Sequence, residues 1–364
     1  MTTIFFTGFP GFLGRELLPR VLGRDHDARA LCLVQDKFFG LAESAVAALE
    51  RDHPALAGRI SLATGDIVAP DLGLGARLDT LRDEVTSVYH LAAVYDLAVT
   101  RDLGMRVNVD GTQHVVDFAR RCARLERLHY VSTCYVSGRY PGRFYERDLE
   151  LGQTFNNFYE ETKHLAEVRV RAAMAGGLPA TIYRPAVVVG DQSTGATQKY
   201  DGPYFLIRWL LRQPAALAVV PVVGHPKKAK LNVAPRDFIV DAIAHLSGVE
   251  ASAGKTYHLA DPRPLPVSEM IDACVEATGR RALRIPVPSK LLVGVLEAFP
   301  ALRDLVQIPP ETFAYFEQPT EYDTTESEAD LSSAGIACPH FDAYVDRLVA
   351  FVRAHPEFGS QAMV

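Results

Sequence analysis

The chain of 364 residues is long enough for one large domain or two moderate ones with an ample core. Its hydrophobic (48%) and charged (23%) fractions are typical of an α/β protein, and its net charge of −6 excludes a general attraction to nucleic acid or anionic membranes. Five scattered cysteines without a C-x-x-C pair argue against a disulfide framework or a metal site. We expect no signal peptide, because the first predicted strand begins at once, and no apolar run reaches transmembrane length. We therefore expect a cytoplasmic protein.

The start of the chain predicts a strand, a glycine-rich turn and a helix. Residues 4–6 form an apolar run typical of a buried parallel strand, and residues 15–22 have helical periodicity. Between them Gly8, Gly11 and Gly14 have the spacing G-x-x-G-x-x-G. Because glycine has no side chain, the backbone can approach a pyrophosphate closely, and the helix N-terminus attracts its negative charge. In this context the motif indicates a dinucleotide site rather than only a tight turn.

A second predicted strand, 30–34, ends where a dinucleotide fold meets the adenosine ribose. An acid there suits NAD, whereas a cation suits NADP. Asp36 therefore favours NAD, whereas Lys37 favours NADP. A basic partner for the 2′-phosphate, Lys37 or Arg15, favours NADPH over NADH, although Lys37 as a solvated side chain is nearly as good an interpretation.

The next two predicted strands, 60–64 and 87–91, add groups to the same edge of the sheet. Asp66 follows the first, where an acid commonly meets the adenine amino group or caps a turn. Ala92 and Ala93 follow the second and leave room for a cofactor to cross the sheet edge. We expect helices over 40–57 and about 106–123, around these strands.

Candidate catalytic residues follow the fifth predicted strand, 128–131. Thr133 lies just beyond it, and Tyr159 and Lys163 lie four residues apart on one face of a helix predicted to run to about residue 175. A neighbouring ammonium should lower the pKa of the tyrosine. Thr133 would bind a substrate carbonyl oxygen, Tyr159 would donate a proton and Lys163 would hold ribose hydroxyls. A plain surface helix is the alternative for this pair.

The second half of the chain is less regular. Two segments have open interpretations: the basic loop 225–230 is a solvated face or a landing site for substrate phosphates, and the apolar segment 289–305 is a core helix, a membrane anchor or a lid. The remaining elements are predicted as strands over 180–190 (turning outward at Arg184 and Pro185), 218–223, 256–259 and 321–324, and helices over 203–211, 268–278 and 341–353. Residues 232–243 lead into a further predicted helix.

Six motifs in order resemble the extended short-chain dehydrogenase/reductase superfamily. They are Thr7–Gly14, His90–Ala93, Asn108–Thr112, Tyr130–Thr133, Tyr159–Lys163 and Arg184-Pro185. Three stretches (11–14, 65–74 and 131–138) resemble more narrowly the branch of fatty acyl-CoA reductases and thioester reductase domains. Gln35 stands where that branch often has an arginine for the 2′-phosphate.

The resemblance implies a Rossmann-type doubly wound parallel sheet with a smaller C-terminal α/β substrate-binding region. Residues 1–190 would form the NAD(P)-binding domain with Thr133, Tyr159 and Lys163, and residues 191–364 the substrate-binding region, partly interleaved with the sheet. The cofactor-binding residues it implies are Thr7, Gly8, Gly11, Phe12, Leu13, Gly14, Gln35, Lys37, Asp66, Ile67, Leu91, Ala92, Ala93, Asn108, Tyr159, Lys163, Pro185 and Val187.

The implied activity is NADPH-dependent reduction of an acyl thioester, bound to CoA or a carrier protein, to an aldehyde; further reduction to an alcohol is left open. The alternative is a reductase or dehydrogenase of a ketone, aldehyde or secondary alcohol. A non-catalytic NADP-binding protein is a third hypothesis, against which Thr133, Tyr159 and Lys163 speak; epimerisation of a nucleotide sugar ranks lower. We expect a free-standing enzyme, monomeric or homodimeric, without nucleic-acid partners.

Overall fold

The secondary structure comes from a computed structural model, which describes residues 2–288, 291, 292, 294, 298 and 310–359. The strands are β1 (Thr3–Thr7), β2 (Arg29–Val34), β3 (Ile60–Thr64), β4 (Ser87–His90), β5 (Arg127–Val131), β6 (Gly142–Phe144), β7 (Ala180–Pro185), β8 (Val187–Val189), β9 (Ala218–Val222), β10 (Val233–Pro235), β11 (Thr256–Leu259), β12 (Ala282–Pro286) and β13 (Thr320–Tyr322). The α-helices are α1 (Gly14–Gly23), α2 (Phe39–Asp52), α3 (Leu78–Glu84), α4 (Arg101–Gly104), α5 (Gly111–Arg120), α6 (Phe158–Ala175), α7 (Pro203–Arg212), α8 (Arg236–Ser247), α9 (Val267–Ala277), α10 (Thr325–Ser332) and α11 (Val345–Ala354).

Seven parallel strands form the central sheet, in the order β3-β2-β1-β4-β5-β7-β11. Strand β1 shows why both faces of the sheet are covered: Ile4 and Phe6 pack on one side and Phe5 on the other, all buried. Helices α1, α2 and α8 cover the first face, and α3, α5 and α6 cover the second. The predicted Rossmann-type doubly wound fold is therefore confirmed.

The direction of winding reverses between β1 and β4, because the chain moves outward from β1 in both directions. In open α/β sheets, the carboxyl ends of the strands at such a reversal form the ligand crevice. The glycine-rich turn after β1 and the alanines after β4 lie at this point.

The chain leaves the central sheet after Pro185. The single strand predicted over 180–190 is two strands: β7 stays in the sheet, whereas β8 pairs in parallel with β10. Pro185 has no N–H to donate, and the Val187 N–H already bonds the Asn232 carbonyl, 3.2 Å away. Two further parallel pairs, β9–β12 and β6–β13, complete the strand pairing of the described residues.

A separate apolar cluster belongs to the second half of the chain. Its buried side chains come mainly from α7, α9, α11 and strands β8 to β10. Strand β11, which also lies beyond residue 190, nevertheless joins the central sheet beside β7. The division of the chain at residue 190 stays a prediction.

Two predicted helices have different bounds in the structure. Helix α2 ends at Asp52 rather than near residue 57, because Pro54 opens a separate 3₁₀ turn. The helix predicted from residue 106 starts earlier, at Arg101, and continues into α5 through a π-helical turn, Met105–Asp110. The apolar segment predicted over 289–305 falls mostly outside the described residues. Among the residues that are described, no helix has the length and apolar character that crossing a bilayer requires.

Candidate active site

The turn after β1 has no room for side chains at its three glycines. Gly8 has φ +89°, and a Cβ there would stand 2.8 Å from the Ala92 nitrogen and the Leu91 carbonyl carbon. A Cβ on Gly11 or Gly14 would stand 2.8 or 2.5 Å from the Gly8 oxygen. The turn thus presents bare backbone to the crevice beside the N-terminus of α1. This is the cradle that a pyrophosphate requires, so the residues present fit a dinucleotide cofactor.

A neutral histidine ties this turn to the neighbouring strand. His90 Nδ1 lies 2.8 Å from Thr7 Oγ1, and His90 Nε2 lies 3.0 Å from Thr112 Oγ1. Burial, with a smaller contribution from the Lys163 charge, lowers the pKa of His90 to about 3. The Ala92 N–H also donates to Thr7 Oγ1, at 3.3 Å. The predicted site residues Thr7, Gly8, Leu91, Ala92 and Ala93 therefore lie together at the reversal point.

The remaining turn residues, Phe12 and Leu13, are partly buried. Leu13 packs against the core under α1. The Arg236 guanidinium, at the start of α8, lies 5.3 Å from the centre of the Phe12 ring and 3.7 Å from Glu16. No local pattern in the sequence indicates this contact, because Arg236 is more than 200 residues away along the chain.

At the adenosine end, the structure joins two of the predicted residues. Gln35 Nε2 donates to Asp66 Oδ2 at 2.9 Å, and the Val68 N–H donates to Asp66 Oδ1 at 3.0 Å. Lys37 is exposed, with its Nζ 5.0 Å from the centre of the Phe38 ring. The carboxylate at this end is thus partly satisfied within the protein, and Lys37 is open to solvent.

Asn108 and Ile67 have structural contacts that explain their positions. Asn108 is buried in the π-helical turn; its Oδ1 accepts from the Val94 N–H at 2.9 Å and its Nδ2 donates to Thr162 Oγ1 at 3.1 Å. It thereby connects the loop after β4 to α6. Ile67 packs against Gly111, where a Cβ would stand 2.9 Å from the Ile67 side chain. Their contacts with a cofactor stay predictions.

The candidate proton donor lies in the first turn of α6. Asn157 sets where that helix begins, because its side chain caps it by accepting from the Glu160 N–H at 3.0 Å. Tyr159 is buried, and the Thr133 hydroxyl lies beside its phenol. Thr133 Oγ1 also lies 3.5 Å from the Pro185 oxygen. The structure therefore brings Thr133, Tyr159 and Pro185 together, and Val187 begins β8 just beyond them.

The pKa of Tyr159 differs from the sequence prediction. Burial raises the pKa of this phenol, and the nearby Thr133 hydroxyl only partly opposes that effect. The prediction that the Lys163 ammonium lowers the pKa of Tyr159 is therefore wrong for the protein alone. Tyr159 is consequently protonated at neutral pH, as a group that donates a proton to a developing oxyanion must be.

Lys163 points to the end of β5. Its Nζ donates to the Val131 carbonyl at 2.9 Å and to the Tyr130 hydroxyl at 3.1 Å. Burial lowers the pKa of Lys163 to about 8, opposed by the nearby Glu167 carboxylate. The ammonium thus stands beside the strand end that carries Thr133, where it can hold a hydroxyl-bearing group.

Below this strand end lies a buried ionic network that was not predicted. Glu167 and Arg184 are both fully buried, with Arg184 Nη2 2.6 Å from Glu167 Oε1, and the Ser132 hydroxyl donates to Glu167 Oε2 at 2.6 Å. The Arg184 and Arg171 charges overcome burial and bring the pKa of Glu167 to about 2. Glu167 lies one helical turn after Lys163, and that spacing is the sequence signal that could have found it.

One lysine of the basic loop 225–230 is paired within the protein, and two are exposed. Lys230 Nζ pairs with Glu321 at 3.0 Å, and Lys227 and Lys228 are exposed. Its role as a landing site for phosphates stays a prediction.

Fold and glycine turn together define the class: the chain is a Rossmann-type NAD(P)-binding protein of the extended short-chain dehydrogenase/reductase type. The model of one family, described as "Male sterility protein", matches residues 6–243. Because this match covers more than half of the chain, the protein belongs to that family, and the resemblance inferred from its motifs is confirmed.

Individual relatives agree with this assignment. A linear gramicidin synthase of Brevibacillus parabrevis is 30% identical over 290 residues, covering 77% of this chain and 6% of that protein. Non-canonical nonribosomal peptide synthetase FrzA of a Cladobotryum species is 27% identical over 380 residues, covering 96% of this chain and 36% of that protein. The chain thus spans well under half the length of these two relatives.

A solved structure matches over nearly the whole of both chains. The terminal R domain from the myxalamid PKS-NRPS biosynthetic pathway has a TM-score of 0.82 and 27% identity, and the match covers 100% of this chain and 93% of that one.

Proposed function

We propose that this protein is an NADPH-dependent reductase that converts an acyl group, held as a thioester to CoA or a carrier protein, to an aldehyde. The observation that carries the proposal is the contact between Thr133 and a protonated, buried Tyr159 at the ligand edge of the sheet. Membership of a family whose relatives include peptide synthetases supports a thioester as the substrate.

In the proposed reaction, the chain binds the thioester carbonyl and stabilises the negative charge that develops on its oxygen. The glycine turn at Gly8, Gly11 and Gly14 would hold the cofactor pyrophosphate, and Lys163 the ribose; when bound, the reduced nicotinamide supplies a hydride. The Thr133 and Tyr159 hydroxyls would donate hydrogen bonds to the oxyanion. When the carbonyl re-forms, the C–S bond breaks and the thiolate leaves, to be protonated to the thiol.

A substrate panel tests this proposal. Purified protein with NADPH is given acyl-CoAs of several chain lengths, acyl groups on a carrier protein, and simple aldehydes and ketones. Oxidation of the cofactor with release of one thiol per aldehyde formed is the expected result. Reduction of aldehydes or ketones without any thioester would support the alternative, an ordinary carbonyl reductase. Cofactor binding without any turnover would favour a non-catalytic role.

The preference for NADPH is supported by Lys37, an exposed cation just after β2, and by Arg15 in the first turn of α1. Comparing kcat/KM for NADPH and NADH tests it. We expect Lys37→Ala to weaken NADPH use by about tenfold, the loss of one charge-assisted phosphate contact, and to leave NADH use unchanged. If Lys37→Ala lowers kcat/KM equally for both cofactors, Lys37 does not bind the 2′-phosphate.

A further inference from the structure

Tyr95, in the loop after β4, packs against the candidate proton donor. Its ring meets the Tyr159 ring edge-on, with centroids 5.1 Å apart and planes at 77°. Such edge-to-face pairs are favourable beyond the burial of their area. The Tyr95 ring thus fixes one side of the phenol that the proposed reaction uses.

A charged pair from the second half of the chain holds Tyr95 in turn. The Asp201 carboxylate lies beside the Tyr95 hydroxyl. Lys199 Nζ lies 3.9 Å from the centre of the Tyr95 ring and 2.9 Å from Asp201 Oδ2. The Lys199 and Asp201 side chains are only 23% and 16% exposed, so water screens this pair less than it screens a fully exposed one.

The residue between them anchors the pair. Tyr200 is fully buried; its N–H donates to the Gly359 carbonyl at 2.9 Å and its hydroxyl to the His355 carbonyl at 2.7 Å. Lys199 and Asp201 are therefore fixed to the segment that follows α11. A continuous set of contacts joins this part of the chain to Tyr159.

We infer that Tyr95 is a positioning residue for Tyr159: clamped by Lys199 and Asp201, its ring keeps the Tyr159 hydroxyl directed at the reacting carbonyl. The inference rests on the proposed function, because it takes Tyr159 as the proton donor. It also gives residues 199–201 a role in the reaction, although they lie outside the motifs of the family.

The charge of Asp201 provides a readout that packing alone would not move. The groups facing Tyr159 are Thr133, the carboxylates of Glu160 and Asp201, and the phenols Tyr95 and Tyr130. Both carboxylates raise the pKa of Tyr159 and Thr133 lowers it. Asp201→Asn should therefore lower the pKa of Tyr159, a shift that a purely steric role of Asp201 would not produce.

The experiment uses whichever substrate of the panel is turned over, a thioester or an aldehyde, so that it does not depend on thioester reduction. Tyr95→Phe keeps the ring but breaks the contact with Asp201. We expect kcat to fall about tenfold, because small misplacements of a reacting group are costly, with NADPH affinity unchanged and a larger solvent deuterium isotope effect on kcat. Asp201→Asn should act similarly, and the double variant should lose no more than the stronger single variant.

Tyr145→Phe is the matched control, since Tyr145 is 37% exposed and stacks on Arg147 in the loop after β6. It should leave kcat unchanged. Thermal unfolding of each variant checks the fold. Additive losses in the double variant, or lower kcat with an unchanged isotope effect, would overturn the inference.

If the protein reduces aldehydes but no thioester, the proposed function is wrong, but this test of Tyr95 can still be carried out. If no substrate is turned over, NMR of labelled tyrosines, with Tyr159 assigned through Tyr159→Phe, replaces the kinetics. Faster flipping of the Tyr159 ring in Tyr95→Ala than in wild type is then expected, and an unchanged rate would contradict the positioning role.

Discussion

The cofactor turn and the catalytic strand end lie at the same edge of one sheet but are built in opposite ways. The turn at residues 7–14 depends on absent side chains, because backbone atoms fill the space around Gly8 and Gly14. The strand end at residues 131–133 depends on side chains from distant parts of the chain, including Lys163 and, through Ser132, the Glu167–Arg184 pair. The first is therefore sensitive to any added atom, and the second to the loss of a particular partner.

The largest expected effect is at the strand end. Tyr159→Phe removes the hydroxyl that contacts Thr133 and should lower kcat by about 10²–10⁴-fold, the range for general acid catalysis. Cofactor affinity, measured by fluorescence titration with NADPH, should stay within about twofold of wild type, because the glycine turn is untouched. Unchanged turnover would remove Tyr159 from the reaction.

The buried pair behind the strand end should dominate stability. Glu167→Gln leaves the Arg184 charge buried and unpaired, which should lower the free energy of unfolding by about 3–5 kcal/mol in urea titration. Glu161→Gln is the control, because its pair with Arg101 is partly exposed (24% and 51%) and should contribute little to stability. Similar losses in both variants would contradict this distinction.

The same pair gives a pH dependence of known sign. The pKa of Glu167 falls from its ordinary 4.5 to about 2 on folding, so its ionisation stabilises the fold above pH 4.5. That contribution should be lost as the pH falls from about 4.5 to 2. Between pH 4.5 and 2, the free energy of unfolding should decrease less in Glu167→Gln than in wild type. If it decreases equally in both proteins, Glu167 is not a source of the acid sensitivity.

An added atom should act on the turn instead. Gly8→Ala forces φ +89° on a residue with a Cβ and places that atom against Leu91 and Ala92. The strain, about 1–3 kcal/mol, should weaken NADPH binding by about tenfold or more in titrations. Gly23→Ala, at the end of α1 where a Cβ meets nothing within 4 Å, is the control and should bind the cofactor normally. Equal binding by both variants would contradict the cradle.

The smallest effect joins the two regions. The pKa of Lys163 is about 8, so its positive charge is present below pH 8 and is lost as the pH rises through that value. If the ammonium holds the ribose, NADPH affinity should weaken by up to about tenfold between pH 7 and 9. Lys163→Met should bind more weakly at pH 7 and show no such dependence. A pH-independent wild-type affinity would contradict this role.

The contrast between the two regions also explains what the sequence could predict. Local patterns identify β1, the glycine turn and α1, because neighbouring residues determine them. The predicted β3, Ile60–Thr64, matches the observed bounds, and Tyr159 falls on the predicted helix. In contrast, the side-chain partners of Lys163 and Gln35 depend on tertiary packing. The split of β7 from β8 likewise depends on a bond to Asn232, which no local pattern reveals.

The raised pKa of Tyr159 is beyond sequence reasoning for a related reason. Spacing along a helix places Lys163 one turn from Tyr159, but it does not show that the ammonium donates to Val131 and Tyr130. Nor does it show that the phenol is desolvated. Burial, which outweighs other effects on this pKa, is a property of the assembled fold.

The π-helical turn at residues 105–110 determines which side chains of this helix face the loop after β4. A π-helical turn holds one residue more than an α-helical turn, and the surplus sets the direction in which the following side chains point. Removing one residue there would restore α-helical geometry and rotate one flank by about 100° relative to the other. Asn108 could then no longer reach both Val94 and Thr162, and the loop that carries Tyr95 would lose its tie to α6. The length of this helix, as much as its composition, is therefore under constraint.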